Sequence, residues 1–149
     1  MKLTEQFKSI QIIFFALLAG QLIFLFISVF LIQSGNISTN EDLFLILFII
    51  DLMIVTPAIV VGPMIYRSFM SRVIPEMSLT DKINLYKQGT IIKLALVEAP
   101  TIFSIVGFLL TGSFVFLFLA IGIIILFFMH RPSVEKFCED FQVSFSEIE

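Results

Sequence analysis

The feature that most constrains this chain is a run of 23 residues, Ile10 to Ile32, that contains no charged side chain. About 20 apolar residues in a helix cross a bilayer core of about 30 Å. Three further runs fit or nearly fit this length: residues 43–65, 89–110 and 113–129. A lipid-facing backbone must satisfy its own N–H and C=O groups, so each run is predicted to be helical. We therefore expect an all-α integral membrane protein, a four-helix bundle of two antiparallel hairpins.

Composition supports the membrane class and excludes several kinds of chemistry. The chain is 58% hydrophobic and only 14% charged, whereas soluble domains average about 25% charged residues. Its single cysteine, Cys138, and single histidine, His130, predict no internal disulfide and no metal site, and no cofactor is expected. No catalytic triad or phosphate-binding loop is present, so an enzyme is not expected. The nine Lys and Arg residues form no dense block, so nucleic acid is not a predicted partner.

The basic residues fall on one side of this topology. Eight of the nine precede the first run, lie between the second and third, or follow the fourth, and the ninth is Lys93 within the third. The two other connections contain none. By the positive-inside rule, both termini and the long middle loop face the cytoplasm of a bacterial inner membrane. The first run is too long for a cleaved signal peptide, so we expect residues 1–130 to form one transmembrane domain.

Residues 131–149 are predicted to form a cytoplasmic amphipathic tail. Val134, Phe137, Cys138 and Phe141 recur at helical spacing after a proline that suits a first helical turn. The polar face of this helix is mainly acidic, so an anionic lipid surface would repel it. We therefore expect Phe137 and Phe141 to contact either the basic middle loop or a partner protein.

Small residues four positions apart occur in three of the predicted spans. Such pairs let helix backbones approach closely in a membrane, so we interpret them as helix-packing positions. They are Ala16 with Gly20, Ala58 with Gly62, and Ala95 with Ala99. Two of the pairs coincide when residues 7–31 are laid over residues 86–110, where eight of 25 positions match. Duplication of a hairpin is one hypothesis for this overlap, and chance in so apolar a chain is the other.

Two carboxylates, Asp51 and Glu98, lie inside predicted spans. An acid near the bilayer centre costs roughly 2.5–3.5 kcal/mol on insertion scales, so it usually faces the bundle interior and has a partner or is protonated. At about 1.5 Å per residue, the depths of the two acids differ by about 5 Å. They could share one proton- or cation-binding site, or each could form an interhelix hydrogen bond that fixes packing. Pro100 is predicted to kink the third span, and the Lys93 stem to reach the membrane surface.

A resemblance covers residues 74–110, IPEMSLTDKINLYKQGTIIKLALVEAPTIFSIVGFLL. This stretch resembles the polar loop and second helix of the proteolipid subunit c of rotary ATP synthases, which implies that Glu98 is an ion-binding carboxylate. Span two has one glycine, Gly62, where subunit c has a closely spaced run, so a rotor ring is not expected. The whole chain is similar to small four-helix inner-membrane proteins of Bacteroidetes with an LVExP element and an RPSxEKFxxDF-like tail. That similarity implies location rather than chemistry.

Three functional hypotheses remain. The first is an accessory or structural subunit of a larger inner-membrane complex, whose partners are the lipid bilayer and other membrane proteins. The second is a proton- or cation-binding proteolipid that uses Glu98, with Asp51 as its companion. The third is a solute transporter, which four spans could form only as an oligomer.

Overall fold

The computed structural model describes residues 3–35, 37–74 and 76–141, and all regular structure within these ranges is helical. The tail predicted over residues 131–149 lies outside the described residues from residue 142 onward. One turn of 3₁₀ helix, Glu41–Leu43, precedes the second helix. The helices are α1, Leu3–Gln33; α2, Phe44–Met70; α3, Leu79–Thr111; α4, Phe114–Met129; and α5, Val134–Phe141. The all-α class expected from the sequence is confirmed.

Three of these helices, α1, α2 and α3, are long and apolar enough to cross a membrane. With 16 residues, α4 is about 24 Å long, and a bend of 63° separates it from α5. The outer surfaces of the helices expose large apolar side chains, among them Phe26, Met53 and Phe118, each more than two thirds exposed. Continuous apolar surface of this kind suits lipid rather than water. The fold therefore indicates a membrane protein.

The central helix of the bundle is α3, which packs against α2, α4 and α1. Half of its most apolar segment is buried within the chain, compared with 17% for the corresponding segments of α1 and α2. It is also the least apolar of the three long helices. These two properties belong together, because polar side chains at membrane depth are tolerated where protein rather than lipid covers them.

The beginning of α3 is capped by a serine side chain. The Ser78 hydroxyl accepts a hydrogen bond from the backbone N–H of Asp81 at 3.2 Å and donates one to its carboxylate at 2.6 Å. A serine at this position satisfies one of the backbone donors that the first helical turn leaves free. The cap lets α3 begin ten residues before the predicted span and project beyond the apolar part of the bundle.

The turn between α3 and α4 depends on a left-handed glycine. Gly112 has a φ of +67°, and its N–H donates to the carbonyl of Phe108 at 2.7 Å. Glycine is the usual residue for such a helix end because it has no Cβ. The loop before α2 is fixed to the same turn, since the Asn40 N–H donates to the carbonyl of Leu110 at 2.8 Å. The two helical hairpins are therefore joined at this end.

Candidate functional site

A buried polar contact joins α2 to α3 in the middle of the bundle. The Ser104 hydroxyl donates to Oδ2 of Asp51 at 2.8 Å, and both side chains are completely buried. Asp51 begins a stripe on α2, continued by Val55, Ala58 and Gly62, that is buried in the bundle. The second carboxylate oxygen, Oδ1, has no hydrogen-bond partner among the described residues. Asp51 therefore forms an interhelix hydrogen bond and keeps one free acceptor.

A second polar group without a partner lies at a similar level on α1. Gln21 is 2% exposed, and neither its amide oxygen nor its amide nitrogen is hydrogen-bonded within the described ranges. Phe7 lies beside Tyr86, with ring centroids 5.6 Å apart, and Phe14 clusters with Leu94, so α1 and α3 run in the same direction. At about 1.5 Å of rise per residue, this register brings Gln21 close to residue 100 of α3. Residue 100 lies about 6 Å along α3 from Ser104, the residue that forms the α2–α3 contact.

We call these groups the mid-bundle polar layer: Gln21, Asp51, Thr101 and Ser104. Thr101 is fully buried and already satisfied, because its hydroxyl donates to the carbonyl of Val97 at 3.1 Å. The remaining free atoms are one carboxylate oxygen and both polar atoms of the amide. Carboxylate, amide and hydroxyl oxygens are ligands of hard cations, and they also bind buried water. Because α1 and α2 are not among the closely packed helix pairs of the described chain, Gln21 and Asp51 are each suited to hold a proton or a water molecule.

Glu98 does not belong to the mid-bundle polar layer. It precedes Ser104 by six residues on α3, which is about 9 Å along the helix and about 120° around it. Its side chain is half-buried and forms no hydrogen bond or ion pair with any residue that the structure describes. The sequence suggested that Asp51 and Glu98 could share one site. In the structure they do not, because the hydrogen-bond partner of Asp51 is Ser104.

The surface beside Glu98 is made of small residues. Ala95 and Ala99 are exposed on the outer face of α3, on the side away from the bundle core. Ile102, on the next turn of the same face, is 41% exposed. An acid at membrane depth therefore lies next to a smooth strip of helix that no part of the described chain covers.

The other two pairs of small residues differ in exposure, since one is buried in the bundle and the other is exposed. Ala58 and Gly62 are buried in the bundle, and a Cβ placed on Gly62 would meet Cγ of Lys93 on α3 at 3.8 Å. Ala16 and Gly20 on α1 are exposed, and no atom comes within 4 Å of a Cβ placed on Gly20. Among the residues that the structure describes, the pair on α2 is the only one of the three that packs against another helix.

Pro100 is buried inside α3 without ending the helix. Proline has no backbone N–H, so the carbonyl of Leu96, one turn earlier, loses its intrahelical partner. Two more prolines, Pro57 and Pro63, lie inside α2. Neighbouring helices can compensate for such breaks in a membrane bundle. The helix continues through Pro100, and a kink at this position stays a prediction from the sequence.

The tail helix α5 packs on the chain's own helices through its aromatic face. Phe137 and Phe141 are almost completely buried. The Phe137 ring lies 5.1 Å from that of Phe7 and 5.3 Å from that of Tyr86, measured between centroids. Together with the thiol of Cys138, these rings form what we call the aromatic cluster. The sequence predicted that Phe137 and Phe141 contact either the middle loop or a partner protein. The structure shows both rings packed against residues of this chain.

A basic pocket close to the aromatic cluster was not foreseen from the sequence. It has a volume of about 500 Å³ and lies between α2, α4 and α5. Its charged lining consists of Arg67, Lys93, His130, Lys136 and Asp140. These residues come from different helices and form no run in the sequence. The one available signal was Lys93, a cation inside an apolar span, which we had interpreted only as a side chain that reaches the membrane surface.

The mid-bundle polar layer, the uncovered acid Glu98 and the basic pocket are the features from which a function can be argued. Comparison with known proteins adds no further feature. Comparisons with protein-family models, curated proteins and solved structures find no match to this chain.

Proposed function

We propose that this chain is a small multi-pass subunit of a larger inner-membrane assembly, and that α3 docks against a helix of another subunit. The observation that carries this proposal is the position of Glu98, an acid at membrane depth outside the core of its own bundle. A carboxyl group at such a depth costs roughly 2.5–3.5 kcal/mol when it has no partner. A partner helix that supplies a hydrogen-bonding group would offset part of this cost, by about 1 kcal/mol.

The residues around Glu98 suit such a helix. Ala95 and Ala99 are exposed beside it, and small side chains let two helix backbones approach closely enough for interhelical contacts in lipid. The expected occupant is a transmembrane helix of a different protein with a polar side chain opposite Glu98. A second copy of this chain is the alternative that the experiment below would reveal.

The proposed topology has four spans, with both termini in the cytoplasm. The 16 residues of α4 are short for a bilayer, and local thinning or the residues flanking its ends would make up the difference. Arg67 lies near the end of α2, and Arg131 follows α4 at the same end of the bundle. The opposite end carries Glu41 and Asp42 and no Lys or Arg. This asymmetry supports the orientation given by the positive-inside rule.

The docking proposal is tested by Ala95→Phe, which places a large ring on the proposed contact face. We expect recovery of the partner in mild detergent to fall about fivefold or more, because overpacking an interface costs about 1–3 kcal/mol. The unfolding midpoint of the isolated chain should not change, since Ala95 is exposed in the bundle. Native mass spectrometry of the purified complex measures the partner and its stoichiometry.

Val60→Phe is the matched control, because Val60 is 56% exposed on α2. It should leave the recovery of the partner unchanged. A homogeneous monomer from the unmodified strain would overturn the proposal, as would equal recovery with Ala95→Phe. A homodimer would mean that the partner helix belongs to a second copy of this chain.

A second candidate function, proton or cation binding, is favoured by the free polar atoms of the mid-bundle polar layer. Asp51 and Gln21 are buried with unpartnered atoms, which in a native protein call for an explanation such as a bound ion or water. On this hypothesis Asp51→Asn should abolish ion flux in proteoliposomes, whereas Glu98→Gln should retain it. The resemblance to subunit c predicts the opposite ranking. Flux equal to that of the unmodified protein in both variants would eliminate ion handling by either acid.

A further inference from the structure

The basic pocket contains one buried cation, Lys93. Lys93 is 8% exposed, and no ion pair involves it within the described part of the chain. Its Nζ lies 5.1 Å from the centroid of the Tyr66 ring, a cation–π contact. The nearby Asp140 carboxylate already accepts a hydrogen bond from the Tyr66 hydroxyl at 2.5 Å. Lys93 therefore contacts an aromatic ring directly, and the Asp140 carboxylate attracts it only over a longer distance.

The pocket as a whole is strongly positive. Arg67, Lys93 and Lys136 each contribute one positive charge and Asp140 one negative charge, so the lining carries 3 − 1 = +2 with His130 neutral. A smaller adjoining cavity shares Lys93, His130 and Lys136 and adds Arg131. The chain has a net charge of −3, so this concentration of cations is opposite in sign to the protein. Such a cavity attracts anions.

The remaining wall of the pocket is apolar. It is formed where α2 and α4 approach their ends, by Pro63, Met70, Leu126 and Met129. A ligand in this cavity would therefore meet both cationic side chains and apolar side chains of α2 and α4. This combination fits the headgroup and first carbons of an anionic amphiphile.

We propose that the basic pocket binds a phosphate group, and that its apolar wall receives the chain of a lipid that carries this group. Arginine and lysine side chains converging from separate helices are the usual protein ligands of phosphate. Arg67 and Lys136 are exposed at the mouth, whereas Lys93 lies at the buried end. Free phosphate shares the recognised group, so the experiment must separate the two sources.

The single histidine of the chain reports on this site. Burial lowers the pKa of His130, and the charges of Lys93 and Lys136 lower it further, while the Leu126 carbonyl bonded to its ring acts in the opposite direction. Arg67 and Asp140 also line the pocket. An anion that neutralises the lysines removes part of their effect, so its binding should raise the pKa of His130. By linkage, the anion then binds more tightly as the pH falls through this range.

The experiment follows the ring signals of His130 by NMR as the pH is changed, with the full chain in nanodiscs. One sample contains phosphatidylcholine alone, a second adds inorganic phosphate, and a third adds phosphatidic acid. We expect the pKa of His130 to rise by about one unit with phosphatidic acid. A comparable rise with inorganic phosphate would show that the phosphate group alone is bound. No rise in either sample would overturn the proposal.

Two arginine variants separate the pocket from general surface charge. Arg67→Gln removes an exposed cation that lines the pocket, and we expect it to weaken binding about tenfold. Arg72→Gln removes an exposed arginine that lies over Phe69 and does not line the pocket. This control should bind as the unmodified protein does. Equal weakening by both variants would mean that the anion is attracted to the surface in general and would also overturn the proposal. Neither result depends on the partner at Glu98.

Discussion

Phe137→Ala is expected to release α5 from the bundle. The ring is fully buried and is in contact with the rings of Phe7, Tyr86 and Phe141. The helix has only eight residues, so it is too short to be stable without tertiary packing. Replacing a buried Phe by Ala costs about 3–5 kcal/mol, the sum of lost transfer free energy and a cavity. Both contributions apply here, because α5 has a charged face and its release would expose the aromatic face to water rather than to lipid.

Labelling of the single cysteine with a water-soluble maleimide measures this release. Cys138 is 8% exposed within the aromatic cluster, and burial raises the pKa of its thiol. Because the thiolate is the reactive form, the docked tail should react slowly at neutral pH. Phe137→Ala should speed labelling at least about 100-fold, since every 1.4 kcal/mol is a factor of ten. Glu139→Ala, an exposed position on the same helix, is the control, and equal rates in both variants would contradict the docked tail.

The number and positions of the long helices could be predicted from the sequence because they depend on local patterns, although α1, α2 and α3 extend five to ten residues beyond the predicted apolar runs. The uncharged run at Ile10–Ile32 lies within α1. The spacing of Phe137 and Phe141 gave the buried face of α5. In each case the information lies within one or two turns of a helix, where backbone hydrogen bonding and capping decide the outcome.

The pairing of polar groups could not be predicted, because depth along a helix does not give rotation around it. Each residue turns an α-helix by about 100°, and Glu98 lies both about 9 Å along α3 and about 120° around it from the residue that Asp51 contacts. Asp51 faces Ser104, a residue that the sequence did not single out, and Glu98 lies on the flank of α3. The basic pocket could not be predicted for a related reason. Its cations Arg67, Lys93 and Lys136 lie on three different helices and come together only when these helices pack.

Phe14→Ala should destabilise the bundle at membrane depth, but by less than the same substitution in the tail. Phe14 is fully buried on α1, and its ring stacks on that of Phe127 with centroids 5.2 Å apart. Unfolded helices in a membrane remain in lipid, so burying an apolar side chain there gains little transfer free energy. The remaining free-energy cost is that of the cavity left by the missing ring. At about 24 cal/mol per Å³, a void of about 100 Å³ costs about 2–3 kcal/mol.

Phe26→Ala is the matched control, because Phe26 lies on the same helix and is 74% exposed. Its ring contacts lipid in the folded and unfolded states alike, so its removal should change the free energy of unfolding by less than about 0.5 kcal/mol. Titration with a denaturing detergent, followed by circular dichroism, measures both variants. If the two substitutions cost the same in the isolated chain, the bundle does not bury Phe14 as described. If Phe26→Ala is costly only in the intact assembly, a neighbouring protein rather than lipid covers that face of α1.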